Sequence, residues 1–378
     1  MSVECGVDYA SPVERSARFD GAAGFLSILR LFAAGNRAVL RMIIIDGVLW
    51  CLLCVMLALG FSNHGAVRRY ASVSLRYKTP ISGQAAYAAR QYSVSKSDEG
   101  AFWPTFWTEA RAALEGEFLS FEADSIVYSG DASLVWPATF VSGAAPGVID
   151  GAGCAVSESL AWRLWGSADV VGMPVLIDGD KRIVRGVFKG ESELVLLPCT
   201  LEDTTWSWGA AELSGGLDGA TRSDAESYAQ ASGLGRPDSI LMKGPSAVAA
   251  ALSVLPIIIP AVYVLILALG LARKRFPLAR KPAFYMGLIL LAVLLPSALN
   301  IFPAWAVPTH WSDFGFWSSL LQRAGSGFRE FLGAAPQKRD VELRMLLIKQ
   351  AAITFPAACI SLSICFRWHM RREKQCLY

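Results

Sequence analysis

The sequence predicts a membrane protein with four transmembrane helices and an α+β domain inserted between the first helix and the second. Two observations lead to this fold class. Of the 378 residues, 53% are hydrophobic and the mean hydropathy is positive, which exceeds what a soluble domain of this size needs. The apolar residues are also unevenly spread, because one long apolar stretch precedes a polar, glycine-rich region and three follow it.

Residues 1–41 predict a loose cytoplasmic tail that ends in an amphipathic helix. Three arginines fall on one helical face and three apolar residues on the opposite face, namely Arg30, Arg37 and Arg41 against Phe25, Ile28 and Phe32. This pattern is typical of a helix that lies in the membrane interface with its cations toward the lipid headgroups. A soluble helix packed against a partner is the alternative.

Residues 42–61 predict the first span, because about 19 apolar residues cross a bilayer core at 1.5 Å per residue. Some 40 residues precede this stretch, which favours an uncleaved signal anchor over a cleaved signal peptide. One face carries the small residues Gly47, Cys51, Cys54 and Ala58. Small side chains let helix backbones approach closely, so this face is the predicted helix-packing surface.

Residues 62–245 predict a folded domain outside the cytoplasm. Acidic residues outnumber basic ones there, whereas the segments that flank the membrane are basic. Its first half predicts a strand at 87–95, a helix at 104–114 and strands at 125–128 and 134–140. Residues 206–238 are rich in Gly, Ser and Asp, which favours an extended loop or a small subdomain.

Residues 154–187 show the strongest local pattern in the domain and predict a strand, a helix and a hairpin. Ser157 is placed to accept the first free N–H groups of a helix, and Gly166 stands where that helix ends. Asp178 and Gly179 lie between two apolar runs, which is a strong hairpin signal. With the strand, helix and strands predicted before it, this β-α-β-β unit approximates a split ferredoxin-like layer.

The same stretch resembles the MacB-like extracytoplasmic core domain of FtsX/MacB-type ABC transporter permeases. The matching residues are Val156, Ser157, Glu158, Leu160, Ala161, Arg163, Leu164, Trp165, Gly166, Val170, Val171, Gly172, Gly186, Val187 and Phe188. The resemblance implies a permease subunit that works as a homodimer or as a heterodimer with another permease chain. It also implies a separate ABC ATPase subunit, which would bind ATP and Mg²⁺, and no cofactor on this chain.

Cys154 and Cys199 are the two cysteines of the polar region. In an oxidising compartment they would form a disulfide. Two buried thiols are the alternative, because sequence spacing does not determine the separation of the two Cα atoms.

The second, third and fourth spans are predicted at 246–272, 282–302 and 345–366. Between the second and third, residues 273–281 carry five basic residues and no acid: Arg273, Lys274, Arg275, Arg280 and Lys281. The positive-inside rule places this loop in the cytoplasm. The family resemblance implies that the loop contacts the ATPase, and the alternative is that it only sets topology and contacts headgroups. The loop is shorter than is usual in the family.

Residues 303–344 are predicted to return outside, with aromatic anchors at the membrane interface and a surface helix through Trp317 and Leu332. The basic tail, 367–378, then lies in the cytoplasm with the N-terminus. The net charge of +3 is close to neutral and does not favour a nucleic-acid partner.

The predicted function is a non-catalytic permease subunit in the cell membrane that couples ATP hydrolysis elsewhere to movement of the outer domain. The sequence holds no metal-ligand spacing and no catalytic motif of a membrane enzyme. The alternative is a membrane-anchored sensor or scaffold, without an energised step, that binds a peptide or protein outside the cytoplasm.

Overall fold

Three helices of the structure, a computed structural model, are long and apolar enough to cross a membrane. The structure describes residues 37–96, 102–116, 119–202, 206–215, 221–273, 289 and 314–376, and these three are the candidate spans within them. They are Arg41–Arg69 within α1 (Arg37–Arg69), Gly244–Leu267 within α6 (Gly244–Arg273) and Lys338–Arg371 within α8 (Lys338–Cys376). The first, second and fourth predicted spans therefore coincide with candidate membrane helices, and the third, 282–302, lies outside the described residues except for residue 289.

Two of these helices extend beyond the predicted spans on the side of the inserted domain. α1 continues past residue 61 to Arg69, and α8 begins at Lys338 rather than at residue 345. The chain divides into two compact units, up to Cys54 and from Val55 onward. All the contacts described below lie within the second unit.

Between α1 and α6 the chain forms the inserted domain, which contains ten strands and four helices in its described part. The strands are β1 (Val73–Ile81), β2 (Trp103–Glu115), β3 (Ser120–Ser129), β4 (Phe140–Gly143), β5 (Gly153–Ser157), β6 (Pro174–Ile177), β7 (Asp180–Phe188), β8 (Leu194–Pro198), β9 (Trp208–Ser214) and β10 (Ser239–Leu241). The helices are α2 (Gly83–Ser95), α3 (Ala132–Val135), α4 (Glu158–Trp165) and α5 (Arg222–Ala231).

All ten strands belong to one mixed sheet. Its order is β10, β1, β9, β2, β3, β8, β5, β7 and β4, while β6 lies off this path and pairs with β2 and β7. The pairs β3 with β8 and β5 with β7 are parallel, and the others are antiparallel. Two β-α-β-β segments, β1-α2-β2-β3 and β5-α4-β6-β7, therefore contribute to one continuous sheet.

The unit predicted at 154–187 is confirmed. The hydroxyl of Ser157 caps α4 by accepting from the backbone N–H of Leu160 at 3.3 Å, and it also accepts from the N–H of Leu194. Gly166 ends the helix with a left-handed φ of 68°. Asp178 and Gly179 both have positive φ in the turn between β6 and β7, as a tight hairpin requires.

Four other local predictions were wrong. Residues 87–95 lie in α2, which begins after the capping residue Ser82, and 104–114 lie in strand β2. Residues 134–140 contain the end of α3 before β4 begins. Residues 206–238 hold β9 and the capped helix α5 instead of an extended loop or a small subdomain, because β9 pairs with β1 and β2 within the main sheet. In β2, pairing with β3 over ten residues overrides the helix preference of the run Glu-Ala-Arg-Ala-Ala-Leu.

The sheet buries apolar side chains on both of its faces. Consecutive side chains of β2 point to opposite faces. Phe106 packs with the larger cluster under α2, α4 and α5, and Trp107 packs with the smaller cluster under α3. A third cluster joins the domain to the helices. In it Val67, Leu241 and Leu343 pack with Phe331 of α7 (Phe314–Gly333), the surface helix predicted from the sequence.

Candidate functional site

The site begins with strand β1, whose side chains alternate between the two faces of the sheet. Val73 and Leu75 enter the larger apolar cluster. Ser74 and Arg76 therefore point to the other face, and both are buried there. A buried arginine is rare unless it is paired, so its partners identify the site.

Glu212 of β9 lies at the centre of this face. It stands opposite Ser74 in the β1–β9 register, and its side chain is fully buried. Its carboxylate accepts hydrogen bonds from the hydroxyls of Ser72 and Ser74, each at 2.6 Å, and from Trp107 Nε1 at 3.1 Å. β1, β9 and β2 are adjacent strands, so three strands hold one carboxylate.

The first turn of α8 brings a second arginine into the same cluster. Arg339 Nη2 donates to Ser72 Oγ at 2.7 Å and lies 3.5 Å from Glu212 Oε2. Its Nε donates to the carbonyl oxygen of Val135 at 3.1 Å, and Nη2 also lies 3.1 Å from that of Leu134. One side chain at the end of a candidate span thus contacts Ser72, which precedes β1, Glu212 of β9, and α3.

Asp340 completes the cluster by pairing with the arginine of β1. Arg76 Nη2 donates to Asp340 Oδ1 at 3.0 Å and lies 3.6 Å from Glu212 Oε1. Its guanidinium also lies over the ring of Trp107, with 4.8 Å to the centroid. We call Arg76, Glu212, Arg339 and Asp340 the buried charge cluster; its formal charges, two positive and two negative, cancel.

Burial and charge act in opposite directions on the groups of this cluster. Burial alone would raise the pKa of Glu212, but Arg339 and Arg76, together with the hydroxyls of Ser72 and Ser74, lower it overall. Burial lowers the pKa of Arg76, although Glu212 and Asp340 oppose that shift. Each ion is therefore stable in the interior only while its partners stay in place.

Lys338, the first residue of α8, adds a contact on the neighbouring strands. Its backbone N–H donates to Glu109 of β2, and its ammonium group pairs with Asp124 of β3. Burial raises the pKa of Glu109, against the effect of the hydrogen bond from Lys338. The start of the last candidate span therefore contacts four adjacent strands, β1, β9, β2 and β3.

The membrane helices are joined by a separate set of polar side chains. Asn63 Nδ2 of α1 donates to Gln350 Oε1 of α8 at 2.8 Å, and Gln350 Nε2 donates to Ser253 Oγ of α6 at 2.9 Å. All three side chains are buried. In an apolar medium such bonds hold helices together, because the alternative is an unsatisfied polar group.

The residues predicted from the sequence to contact an ATPase are not part of this arrangement. Arg273 is the last residue of α6, and Lys274, Arg275, Arg280 and Lys281 lie outside the described residues. Their role stays a prediction.

The predicted helix-packing face of α1 is exposed in the single chain. Gly47, Cys51, Cys54 and Ala58 are exposed, and a Cβ added at Gly47 would meet nothing within 4 Å. Within the second unit the face of α1 that packs carries Gly60, Asn63 and Val67, with Gly60 close to Gln350. Packing of the predicted face against another membrane helix stays a prediction.

Cys154 and Cys199 are thiols in the structure, and their pairing in an oxidising compartment stays a prediction. Both are buried, and the Cys199 thiol donates to the carbonyl oxygen of Thr200 at 3.3 Å. Burial raises the pKa of Cys154 to about 12, so this thiol is unreactive at neutral pH.

Sequence reasoning missed all four members of the buried charge cluster. A usable signal was present in β9, where Glu212 interrupts the apolar run Ala210, Ala211 and Leu213. Arg339 and Asp340 were assigned to the extracytoplasmic segment 303–344, because the fourth span was predicted to begin only at residue 345. Among the described residues, no group of three or more His, Cys, Asp or Glu side chains is placed to hold a metal ion.

No family model matches the chain, and no curated protein matches it in sequence. Solved structures do match. The periplasmic region of MacB from Actinobacillus actinomycetemcomitans is 14% identical, with a TM-score of 0.39, and the match covers 47% of this chain and 92% of that one. The inserted domain is similar in structure to that region of MacB.

Two further solved structures match a similar share of the chain. The extracellular domain of YknZ, a noncanonical ABC-type transporter from Gram-positive bacteria, is 11% identical, with a TM-score of 0.35, over 43% of this chain and 91% of that one. A domain of a Porphyromonas gingivalis protein named as a permease is 17% identical, with a TM-score of 0.30, over 43% and 81%. At these identities the likeness concerns the fold alone.

Proposed function

We propose that the chain is a permease subunit of an FtsX/MacB-type ABC transporter. In this proposal ATP hydrolysis on a separate ATPase subunit moves the inserted domain, which lies outside the cytoplasm, for export or remodelling of the cell envelope. The observation that carries the proposal is the buried charge cluster, because it joins the first turn of the last candidate span to the strands of the inserted domain.

Transmission of movement requires stiff elements and a joint that does not slip. α8 has 39 residues, which corresponds to about 58 Å of helix at 1.5 Å per residue. This exceeds the hydrocarbon core of a bilayer, about 30 Å. Separating a buried ion pair costs about 3–5 kcal/mol, so the sheet follows a shift of α8 rather than detaching from it.

The polar contacts among the membrane helices support the same mechanism. Asn63, Gln350 and Ser253 bond α1, α8 and α6 to one another. A displacement of any one of these helices is then coupled to the other two and to the inserted domain.

The partners in this proposal come from the sequence pattern between Val156 and Phe188. It supports an ABC ATPase subunit that binds ATP and Mg²⁺, and a second permease chain, identical or different. The proposal includes the predicted third span, 282–302, which brings the membrane helices to four. It also includes cytoplasmic termini and a cytoplasmic basic loop in which Arg273, Lys274 and Arg275 contact the ATPase.

The first test is purification of the tagged chain from its native host in mild detergent, with mass spectrometry of the proteins that accompany it. We expect an ABC ATPase to co-purify with the native chain and to be lost when Arg273, Lys274 and Arg275 are all replaced by Glu. Replacement of Arg371 and Arg372 by Glu is the matched control, because it reverses charge at the other basic segment predicted to be cytoplasmic. That control should retain the ATPase.

A second test separates energy coupling from assembly. A spin label on Ile149→Cys, at a fully exposed position of the inserted domain, reports the distance between the two domains of a dimer. We expect this distance to change when ATP and vanadate are added, and to stop changing in Asp340→Leu while ATP is still hydrolysed. If no ATPase accompanies the chain under conditions that preserve a known permease complex, transport is ruled out in favour of the sensor or scaffold function.

A further inference from the structure

Helix α6 carries two prolines four residues apart, Pro256 and Pro260, within a candidate span. Proline has no backbone N–H, so the carbonyl oxygens of Leu252 and Pro256 lose the donors that an uninterrupted helix supplies four residues later. Residues four apart lie on one face of a helix. The backbone of α6 is therefore weakened along one face over residues 252–260.

A side chain of α8 replaces one of these two donors. The hydroxyl of Ser361 donates to the carbonyl oxygen of Pro256 at 2.8 Å, and the side chain of Ser361 is buried. A serine hydroxyl in a helix often bonds to the carbonyl oxygen four residues earlier, as Ser363 does with Cys359. Ser361 instead bonds to the neighbouring helix, at the carbonyl that Pro260 leaves without its helical donor.

The packing of α6 changes at the same point. Burial is described for residues 244–267 of this helix, and every buried residue among them lies at or before Pro256. These buried residues are Gly244, Pro245, Ala249, Ala250, Ser253, Val254 and Pro256. Residues 257–267 are half-buried or exposed. We call residues 244–256 the first part of α6 and residues 257–273 its second part; the first part is the more tightly packed.

The contacts of the two parts differ in the same way. In the first part, Ser253 accepts from Gln350 of α8 at 2.9 Å, and Gln350 accepts from Asn63 of α1 at 2.8 Å. In the second part, the rings of Tyr263 and His369 lie edge to face with 6.4 Å between their centroids. The Tyr263 hydroxyl is buried without a hydrogen-bond partner among the described residues. Buried hydroxyls are almost always bonded, so this position of the second part leaves a polar group unsatisfied.

We propose that residues 252–260 form a hinge in α6, and that the hydrogen bond from Ser361 to the carbonyl of Pro256 holds this hinge in the described position. When the bond breaks, the second part rotates relative to α8 while the first part stays bonded to it. Ile266 lies six residues beyond Pro260 in α6, about 9 Å along the helix, so a kink change of about 20° displaces it by about 3 Å.

The hinge is a property of this chain alone, whether or not an ATPase binds it. In the permease proposed above, the same rotation moves Arg273, at the end of α6, by about 7 Å. Failure of the hinge would leave the proposed function standing, and absence of an ATPase would leave the hinge standing.

The test measures two distances by double electron–electron resonance on the full chain in lipid nanodiscs, without an ATPase. Spin labels are attached to p-acetylphenylalanine, so the native cysteines stay in place. One pair of labels, at Ile266 and Phe366, reports the second part of α6 against α8. The other pair, at Ala251 and Ile348, reports the first part. All four side chains are exposed.

Ser361→Ala removes the hydrogen bond to Pro256. We expect the distance between the labels at Ile266 and Phe366 to shift, or its distribution to widen, by about 3 Å, while the distance of the other pair stays the same. Ser363→Ala is the matched control, because the Ser363 hydroxyl is bonded within α8. It should leave both distances unchanged.

Pro260→Ala provides an independent test of the same bond. It returns the N–H that bonds to the carbonyl of Pro256, so adding Ser361→Ala should no longer move Ile266. Pro256→Ala returns instead the donor for the carbonyl of Leu252, and Ser361→Ala should still act in that background. The proposal is overturned if Ser361→Ala leaves both distances unchanged, if it changes both together, or if Pro260→Ala does not suppress its effect.

Discussion

Glu212→Gln is the substitution that tests the buried charge cluster most directly. The side chain keeps its size but loses its negative charge, so Arg76 and Arg339 remain buried with Asp340 as their one acidic partner in the cluster. The amide NH₂ also replaces one of the two carboxylate oxygens that accept from Ser72 and Ser74. At least one of these hydroxyls can then no longer donate to residue 212 and must rotate its hydrogen to accept from the amide instead.

The expected cost is about 3–5 kcal/mol, the range for removing one partner of a buried ion pair. Most of this cost comes from the positive charge left uncompensated in the interior, and less comes from the lost attraction between Glu212 and the two arginines. A typical domain is stable by about 5–15 kcal/mol, so the variant loses a large part of its stability.

The assay is urea unfolding of the full chain in detergent micelles, followed by the fluorescence of the buried residues Trp107 and Trp208. Glu122→Gln is the matched control, because Glu122 pairs with Arg111 at 3.9 Å on the surface of the same domain. Their side chains are 71% and 77% exposed, and such pairs contribute about 0–1 kcal/mol. If Glu212→Gln lowers the free energy of unfolding by as little as the control does, the cluster does not stabilise the fold in this way.

A variant that removes all four charges tests whether the buried charge cluster itself stabilises the fold. Replacing Arg76 and Arg339 by Met and Glu212 and Asp340 by Leu removes all four charges together. Such replacements of buried ion networks are often neutral or stabilising. We expect the combined variant to unfold at higher urea than Glu212→Gln. If it unfolds earlier instead, the paired charges themselves stabilise the fold.

The pH dependence of this effect has a definite sign. The folded pKa of Glu212 lies below its unfolded value of about 4.3. Its contribution is therefore complete above about pH 4.3 and is lost as the pH falls toward the folded pKa. The difference in unfolding free energy between the native chain and Glu212→Gln should be largest near pH 7 and shrink in acid. A difference that grows in acid would contradict the assignment.

Three further predictions concern other parts of the chain. Gly186→Ala should destabilise the domain by about 1–3 kcal/mol in the same assay, since the new Cβ would lie 2.5 Å from the carbonyl oxygen of Ala144, whereas Gly151→Ala meets nothing within 4 Å and should be neutral. Gln350→Leu should lower the thermal unfolding temperature, because it removes the hydrogen bonds to Asn63 and Ser253, each worth about 0.6–2 kcal/mol in a membrane. An unchanged unfolding temperature would show that these hydrogen bonds do not hold the helices together. Ile149→Cys in intact cells should react with a membrane-impermeant maleimide. The native chain, whose Cys154 is buried, should not react within the inserted domain. Labelling only after lysis would place that domain in the cytoplasm.

The sequence by itself determined the features that depend on local physics. A bilayer requires about 20 apolar residues per helix, so three described spans were predictable from hydropathy. The β5-α4-β6-β7 unit was predictable too, because Ser157, Gly166 and the Asp178-Gly179 turn act on neighbouring residues.

Only the tertiary structure decided the features that depend on distant partners. Residues 104–114 contain helix formers yet form a strand, because β3 and β9 on either side supply their hydrogen bonds. The buried charge cluster unites Arg76, Glu212, Arg339 and Asp340 from three regions of the chain. Arg76 and Asp340 stand 264 residues apart. Only Glu212, which interrupts an apolar run, is distinguished by its sequence neighbours, and burial in the folded chain brings the four residues together between α8 and the inserted domain.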